Sequence, residues 1–392
     1  MKILKANFIF DGEKFLRENA VVLNENKIVD VIYIPDESLE QYSKIDLLDG
    51  ILVPGFVNAH CHLELSYLQN IFSPQCTMTG FLKQMISKRN SFSDEEKKEN
   101  AKFWDNKMFE NGIVVVGDIV NSTDTLDIKV NSPIKYQNFV EVFGLSEIHS
   151  DKIFSHAIEI LKQFQSKNLK AQLVPHAPYS LSENLWKNLL DYLIKENSKK
   201  ILSFHFFESN DEKEILEGIY SNSMFDYFSK ELNYSDHYLK NLFQTFWNKF
   251  EKIVEVSDNL LLVHNTYLNT KFLYKLKNHI DKIYFCLCPN ANLFIESKLP
   301  DLNLIQQYSD KICLGTDSLA SNNNLSIIDE INTLLNNFDV SIENVLKFAT
   351  SNGAKALGLE KEVGYIKKNY STPFNLINIK EKSVELKKVI KY

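Results

Sequence analysis

The sequence predicts an α/β protein: a (β/α)8 TIM-type barrel carrying a small β-sandwich domain assembled from both chain ends. Three observations predict it. Eight apolar runs alternate with amphipathic helical patterns through the middle of the 392-residue chain. Strands alternating with helices specify parallel βα units, and eight such units argue for a closed barrel. Both chain ends instead read as short strands joined by turns. Finally, five of the nine histidines fall at the carboxyl ends of predicted strands, the face on which such a barrel carries its site.

Residues 1 to about 50 hold the first strand-like stretch, with Asp11-Gly12 and Asn24-Glu25-Asn26 punctuating Ala20–Leu23 and Ile28–Ile32. Phe374–Ile379 has the same character. We therefore expect residues 1–53 and 359–392 to form the small domain and 54–358 the barrel. The barrel strands are expected at Ile51–Asn58, Ile113–Asp118, Gln137–Phe143, Ala171–Pro175, Ile201–Phe206, Leu260–Val263, Ile283–Cys288 and Lys311–Gly315. Helical patterns lie between them, as in Ala157–Phe164 and Leu185–Leu193. No Gly-rich phosphate loop follows the early strands, which argues against an open doubly wound sheet. The stretch Ser209–Asp258 is rich in aromatics, Tyr220, Phe225, Tyr227, Phe228, Tyr234, Tyr238, Phe243, Phe246 and Trp247 among them. It predicts helices partly covering the barrel mouth, with most rings in their core and a few lining a pocket.

The first barrel run ends Pro54-Gly55-Phe56-Val57-Asn58-Ala59-His60-Cys61-His62. Alternate residues of a strand point the same way, so His60 and His62 can aim two imidazoles at one point while Cys61 turns away. The fourth run ends at His176, the fifth runs through His205 to Glu208, the sixth ends at His264 and the eighth at Asp317. His60, His62 and His205 offer three neutral nitrogen ligands and Asp317 a carboxylate. A hydrolytic zinc site of this kind keeps one position for water and lowers that water's pKa toward roughly 7. Glu208 is placed to move a proton between water and substrate. His264 could hydrogen-bond the attacking hydroxide or the tetrahedral intermediate. Singly, each has an ordinary structural reading, His176 as a packed histidine and His264 as a capping residue; six converging on one end of a barrel do not. His149, His156, His237 and His279 read as solvated.

The net charge of −7 leaves no basic footprint for nucleic acid. No apolar run approaches the ~20 residues that span a bilayer, and the amino terminus lacks a signal-peptide pattern. Five irregularly spaced cysteines make no disulfide framework. The expectation is a cytoplasmic protein acting on a small molecule, with no nucleic-acid or membrane partner; oligomeric state stays open, a homodimer included.

These residues resemble the amidohydrolase superfamily over nearly the whole chain. The resemblance rests on Pro54–His62 (PGFxNxHxH), Pro175–Tyr179 (PHAPY), His205 with Glu208 (HxxE), His264, Gly315–Ser318 with Ser321–Asn323 (GTDS…SNN), and a closing helix at Ala349–Gly358. Dinuclear members carry a bridging lysine or carboxylate at the end of the fourth strand; here that place holds His176, and no lysine follows until Lys187. The resemblance therefore implies one divalent metal ion, Zn2+ by preference and Fe2+ as the alternative. It points to the mononuclear aminohydrolases that release ammonia from purine-like rings. It implies that Glu208 protonates the ring nitrogen, that Asp317 takes the proton of the water, and that His176 faces the substrate. The wording of His60–Ser66 looks most like the 6-aminodeoxyfutalosine deaminases of the alternative menaquinone route, which act on an adenine-bearing nucleoside. Glu64 then either touches the sugar or ring or simply starts a helix. S-adenosylhomocysteine, methylthioadenosine and guanine deaminases and triazine chlorohydrolases share the same six residues. A non-catalytic metal-binding barrel would lack an acid or a ligand, and the HxE…PCxxC signature of nucleic-acid deaminases is missing.

Overall fold

Eight strands make up the body of the protein in the computed structural model: β1 (Phe56–Cys61), β2 (Ile113–Val120), β3 (Lys135–Val142), β4 (Lys170–Pro175), β5 (Ile201–Phe206), β6 (Asn259–His264), β7 (Ile283–Leu287) and β8 (Ile312–Leu314). The structure describes residues 1–41, 44–371 and 373–391; positions 42, 43, 372 and 392, within the expected terminal domain, lie outside the described residues. Strands β1 to β4 pair in order in one parallel sheet and β5 to β8 in another. Every residue of β1, β2, β5 and β7 is buried. Burial on both faces is why these strands read as continuous apolar runs rather than alternating ones.

Backbone bonds link the two sheets at both margins. The His205 N–H donates to the His176 carbonyl at 2.9 Å, and the Thr316 and Asp317 N–H groups donate to the His60 carbonyl at 2.9 and 3.1 Å. The buried Asn58 side chain reinforces the second margin, donating to Thr316 Oγ1 at 2.7 Å and accepting from the Thr316 N–H at 3.1 Å. Both links place histidines and Asp317 side by side at the same strand ends.

The expected run Ile51–Asn58 is two strands. Ile45–Pro54 belongs to the terminal sheet, and β1 begins two residues later at Phe56. Gly55 makes the change of sheet: a Cβ there would stand 2.4 Å from Val114 Cγ1. Hydrophobicity is the same on both sides of the change, so the apolar run reads as one strand, although the expected domain border at 53/54 and the Pro54-Gly55 pair fall beside it. The terminal sheet has seven strands. Ser383–Ile390, Phe374–Lys380, Ile45–Pro54, Lys2–Phe10, Asn19–Asn24 and Lys27–Tyr33 lie in that order, with Phe15–Arg17 paired to Lys2–Phe10. Strands from both chain ends thus share one sheet, packed over a core that includes Leu4, Ile9, Val21, Leu52 and Phe374.

The helices follow from capping and apolar spacing. Helix Glu183–Lys195 starts at Ser182, whose hydroxyl accepts from the Leu185 N–H, and buries Leu185, Trp186, Leu189, Leu190 and Leu193 on one stripe. The closing segment is two helices, Ile342–Ala349 and Ser351–Ala356, broken at Thr350. The Thr350 hydroxyl donates to the Leu346 carbonyl at 2.6 Å. In the aromatic stretch, helices Asn210–Glu217, Asp236–Gln244 and Phe246–Val256 bury Phe243, Phe246 and Phe250. Among the described residues, no helix is long and apolar enough to cross a membrane.

Candidate active site

The site sits where β1, β5, β6 and β8 end. Three of these ends turn through left-handed backbone at non-glycine residues: Phe207 (φ 50°), His264 (φ 76°) and Asp317 (φ 57°). Such conformations are uncommon for bulky side chains and cost about 1–3 kcal/mol each. Their clustering means the surrounding packing holds these side chains in place against a local cost.

His60, His62, His205 and Asp317 each present one ligand atom, all within 4.8 Å of one another. His60 Nε2 and His62 Nε2 are 3.1 Å apart, and Asp317 Oδ1 lies 3.5 Å from the first and 3.2 Å from the second. The edge of a tetrahedron with zinc–nitrogen bonds of ~2.0–2.1 Å is about 3.3 Å. The donor set therefore fits a small divalent cation in chemistry and in spacing. Electrostatics agree. Burial pushes His60 down to about 4, and it holds His205 well below the usual range, which favours the neutral imidazoles a metal needs. Burial works the same way on His62, but the hydrogen bond and charge of Asp317 outweigh it and push that imidazole up to about 9. A proton on His62 meets the need for positive charge that a cation would meet instead. Burial likewise opposes ionisation of Asp317, yet its bonds to His60 and His62 hold the carboxyl well below the usual range.

Gly315 is required beside this cluster: a Cβ there would stand 2.8 Å from both the Cβ and the carbonyl oxygen of His60. Ser321 donates to the second oxygen of Asp317. On the other side of the cluster, Glu208 Oε1 lies 3.4 Å from His264 Nε2, and Asn292 Oδ1 accepts from His264 Nδ1 at 2.9 Å. That bond places the proton on Nδ1 and leaves the Nε2 lone pair on the Glu208 side. Burial, then the charges of Asp317 and Glu212, push the Glu208 carboxyl well above the usual range. Glu212 fixes the turn that carries it, accepting from the Phe207 and Glu208 N–H groups at 2.7 and 3.0 Å.

His176 faces the same cavity, its Nδ1 3.0 Å from Ser180 Oγ, and burial pushes it down to about 3. Glu64 also lines the cavity, but its Oε2 accepts from the Asn121 N–H at 3.0 Å and from the Ser122 N–H and hydroxyl at 3.1 Å. Sequence reading passed over Glu141, near the end of β3. Its Oε1 lies 3.4 Å from His205 Nδ1 and its Oε2 accepts from Asn121 at 3.0 Å. A carboxylate near the end of an apolar run was the signal available. Glu212 and Asn292 carried none, because they sit on helices that only the fold brings back to the site; Ser321 stood in the SNN motif without a role of its own. His149, His156 and His237 are exposed and His279 is half-buried, all four away from the cluster.

The cavity above these residues encloses about 380 Å³. Its floor is His62, His205, Glu208 and Asp317; its walls are apolar, from helix Thr77–Lys88 (Met78, Phe81, Leu82, Met85) and from Tyr227, Phe228 and Tyr234. These three rings are the part of the aromatic stretch that turns toward the pocket.

The model of the amidohydrolase family matches residues 51–391. The chain belongs to the amidohydrolase family. It is thus a metal-binding hydrolase acting on non-peptide C–N bonds. An adenosine deaminase of Helicobacter pylori is 26% identical over 88% of this chain and 83% of its own length. The crystal structure of H. pylori aminofutalosine deaminase in complex with methylthio-coformycin superposes with a TM-score of 0.82 at 23% identity, covering 99% of this chain and 98% of that one. The atrazine chlorohydrolase TrzN of Arthrobacter aurescens, complexed with zinc, follows at 0.70 and 18% identity, over 96% and 86%. At such identities the structural likeness speaks for the fold.

Proposed function

We propose that this amidohydrolase is a metal-dependent deaminase of an adenine-type nucleoside, with 6-aminodeoxyfutalosine as its substrate in menaquinone synthesis. One observation carries the reading: the His60, His62, His205 and Asp317 donors, within 4.8 Å of one another, lie beside Glu208, whose carboxyl burial pushes above the usual range, at the floor of a mainly apolar cavity. The eight strands, linked at both margins, are read as a closed (β/α)8 barrel over 54–358, with the terminal sheet of 1–53 and 359–392 as a second unit.

One divalent ion, Zn2+ by preference, would be held by His60, His62, His205 and Asp317. It would supply the Lewis acidity that makes water a nucleophile near neutral pH. The chain's own groups do the rest. Asp317 accepts a proton from the attacking water. Glu208, its carboxyl pushed above the usual range by burial, gives its proton to the ring nitrogen as the amidine-type carbon is attacked; Asp317 then returns its proton to the amine, the C–N bond breaks, ammonia leaves, and the new hydroxyl gives its proton back to Glu208. His264, whose Nε2 makes no hydrogen bond among the described residues and lies 3.4 Å from Glu208, aligns the oxygen nucleophile. His176 faces the ring. Glu64, occupied by Asn121 and Ser122, shapes the wall of the sugar pocket. Five free cysteines suit a reducing compartment such as the cytoplasm.

The test is ammonia release by the metal-loaded protein from aminodeoxyfutalosine, S-adenosylhomocysteine, methylthioadenosine, adenosine, adenine and guanine, with chloride release from a chlorotriazine alongside. Preference for aminodeoxyfutalosine supports the full reading. Preference for another purine keeps the mechanism and discards the pathway. Chloride release without ammonia, or silence throughout, refutes the deaminase.

A further inference from the structure

All 44 basic residues of the chain but two, Arg17 and Arg89, are lysine. Arg17 lies in the terminal sheet. Arg89 lines the active-site cavity and is the one lysine or arginine in its lining among the described residues. Its backbone is anchored: it caps helix Thr77–Lys88, its N–H donating to the Met85 carbonyl at 3.0 Å, while Tyr67 Oη donates to its carbonyl at 3.2 Å. Its guanidinium makes no hydrogen bond or ion pair with any described residue. The neighbouring cations are committed elsewhere, Lys83 to Glu231 at 2.6 Å and Lys88 to the Ile71 carbonyl at 2.7 Å.

Charge in the cavity is therefore divided. The carboxyl groups of Glu64, Glu141, Glu208 and Asp317 gather on the strand-end side, Arg89 with its unpaired guanidinium stands at the end of helix Thr77–Lys88, and apolar side chains of that helix and of Tyr227, Phe228 and Tyr234 make up the walls. A guanidinium presents a planar fork that matches a carboxylate in two parallel hydrogen bonds, which an ammonium cannot do. In a chain that uses lysine almost everywhere else, the cavity lining includes one of the two arginines, and its fork is left unpaired among the described residues.

We propose that Arg89 is a specificity-determining residue that pairs with a carboxylate at the far end of the substrate, and that the apolar walls hold an aryl or similarly apolar arm joining this carboxylate to the nucleoside. This rests on the deaminase reading and narrows its substrate class: purine nucleosides whose 5′ arm is apolar and ends in an anion.

The experiment compares aminodeoxyfutalosine with its carboxyl methyl ester, which differ in that one charge, using the metal-loaded full chain. Ammonia release gives kcat and KM for wild type, Arg89→Met and Arg89→Lys. Hydrogen bonds to a charged partner of this kind correspond to about ten- to a hundred-fold in affinity. Wild type should prefer acid over ester by that factor through KM. Arg89→Met should collapse the preference, and Arg89→Lys should retain part of it. Added salt should weaken the preference of wild type and leave Arg89→Met insensitive. An acid-to-ester ratio unchanged in Arg89→Met, or equal losses on both substrates, overturns the proposal while the deaminase stands. A wild type silent on both compounds but active on another purine of the panel overturns this proposal and discards the pathway; silence on the whole panel overturns the deaminase reading as well. Arg89 is exposed, so matching thermal midpoints will confirm that the variants are folded.

Discussion

Glu208→Gln isolates the proton-donating step. Gln has the same shape and keeps the approach to His264, which is 3.4 Å away in the native site. The turn beneath it is held through backbone N–H groups by Glu212 and does not depend on the side chain. Glu208 is not among the four clustered donors of His60, His62, His205 and Asp317, so metal content should stay at one per chain. What disappears is an acidic O–H. General acid catalysis contributes about 10²–10⁴ in rate, which is ~3–5 kcal/mol of barrier at about 1.4 kcal/mol per decade. The assay is steady-state ammonia release by a coupled enzyme, with metal measured by mass spectrometry on the same sample. The pH profile supplies the sign. The Glu208 carboxyl is pushed above the usual range, so its active form, the protonated one, persists to higher pH than an ordinary carboxyl and is lost as pH rises through the folded pKa. Wild-type kcat should therefore fall on the alkaline side, and the residual rate of Glu208→Gln should lack that limb. A Gln variant within about tenfold of wild-type kcat, with full metal, would refute the role of Glu208 as acid.

Three more outcomes are expected. Asp317→Ala should abolish turnover and lower metal content, and a chelator should lower the thermal midpoint of wild type but not of the variant, as linkage requires when a ligand binds only the folded state; equal chelator shifts in both would count against Asp317 as a ligand. Gly315→Ala places a Cβ 2.8 Å from His60, so His60 must move; overpacking of this kind costs about 1–3 kcal/mol, and a drop in metal affinity on titration, larger than the loss of thermal stability explains, would show the displacement. Burial pushes Glu330 up to about 8 even though it accepts from the Asn290 N–H and the Asn322 amide. The folded state then holds a proton the unfolded state has already released, so stability is highest below the unfolded pKa, near 4.5, and declines as pH rises toward 8. Glu330→Gln should flatten the fall in thermal midpoint between those limits, and an unchanged slope would reject this assignment.

Sequence by itself determined the parts of this protein whose signal is local. Burial on both faces made the strands continuous apolar runs, so Ile201–Phe206 was legible residue for residue. The two-residue period of a strand pointed His60 and His62 the same way before any coordinates. The motifs around His176, His205, Glu208, His264 and Asp317 identified the family, because each sits at the end of its own run. Tertiary structure alone decided what depends on contacts between distant segments. The change of sheet at Gly55 turns on a close approach to Val114, which hydrophobicity does not encode. Glu141 reaches His205 only because β3 and β5 end on the same side. Asn292 sets the tautomer of His264 from a helix that follows β7. The upward shift of the Glu208 carboxyl likewise follows from burial and neighbouring carboxylates, and a side chain's environment is a property of packing in three dimensions. Arg89 was plain in the sequence as one of two arginines. Only the fold put Arg89 in the lining of the cavity that holds His62 and Asp317.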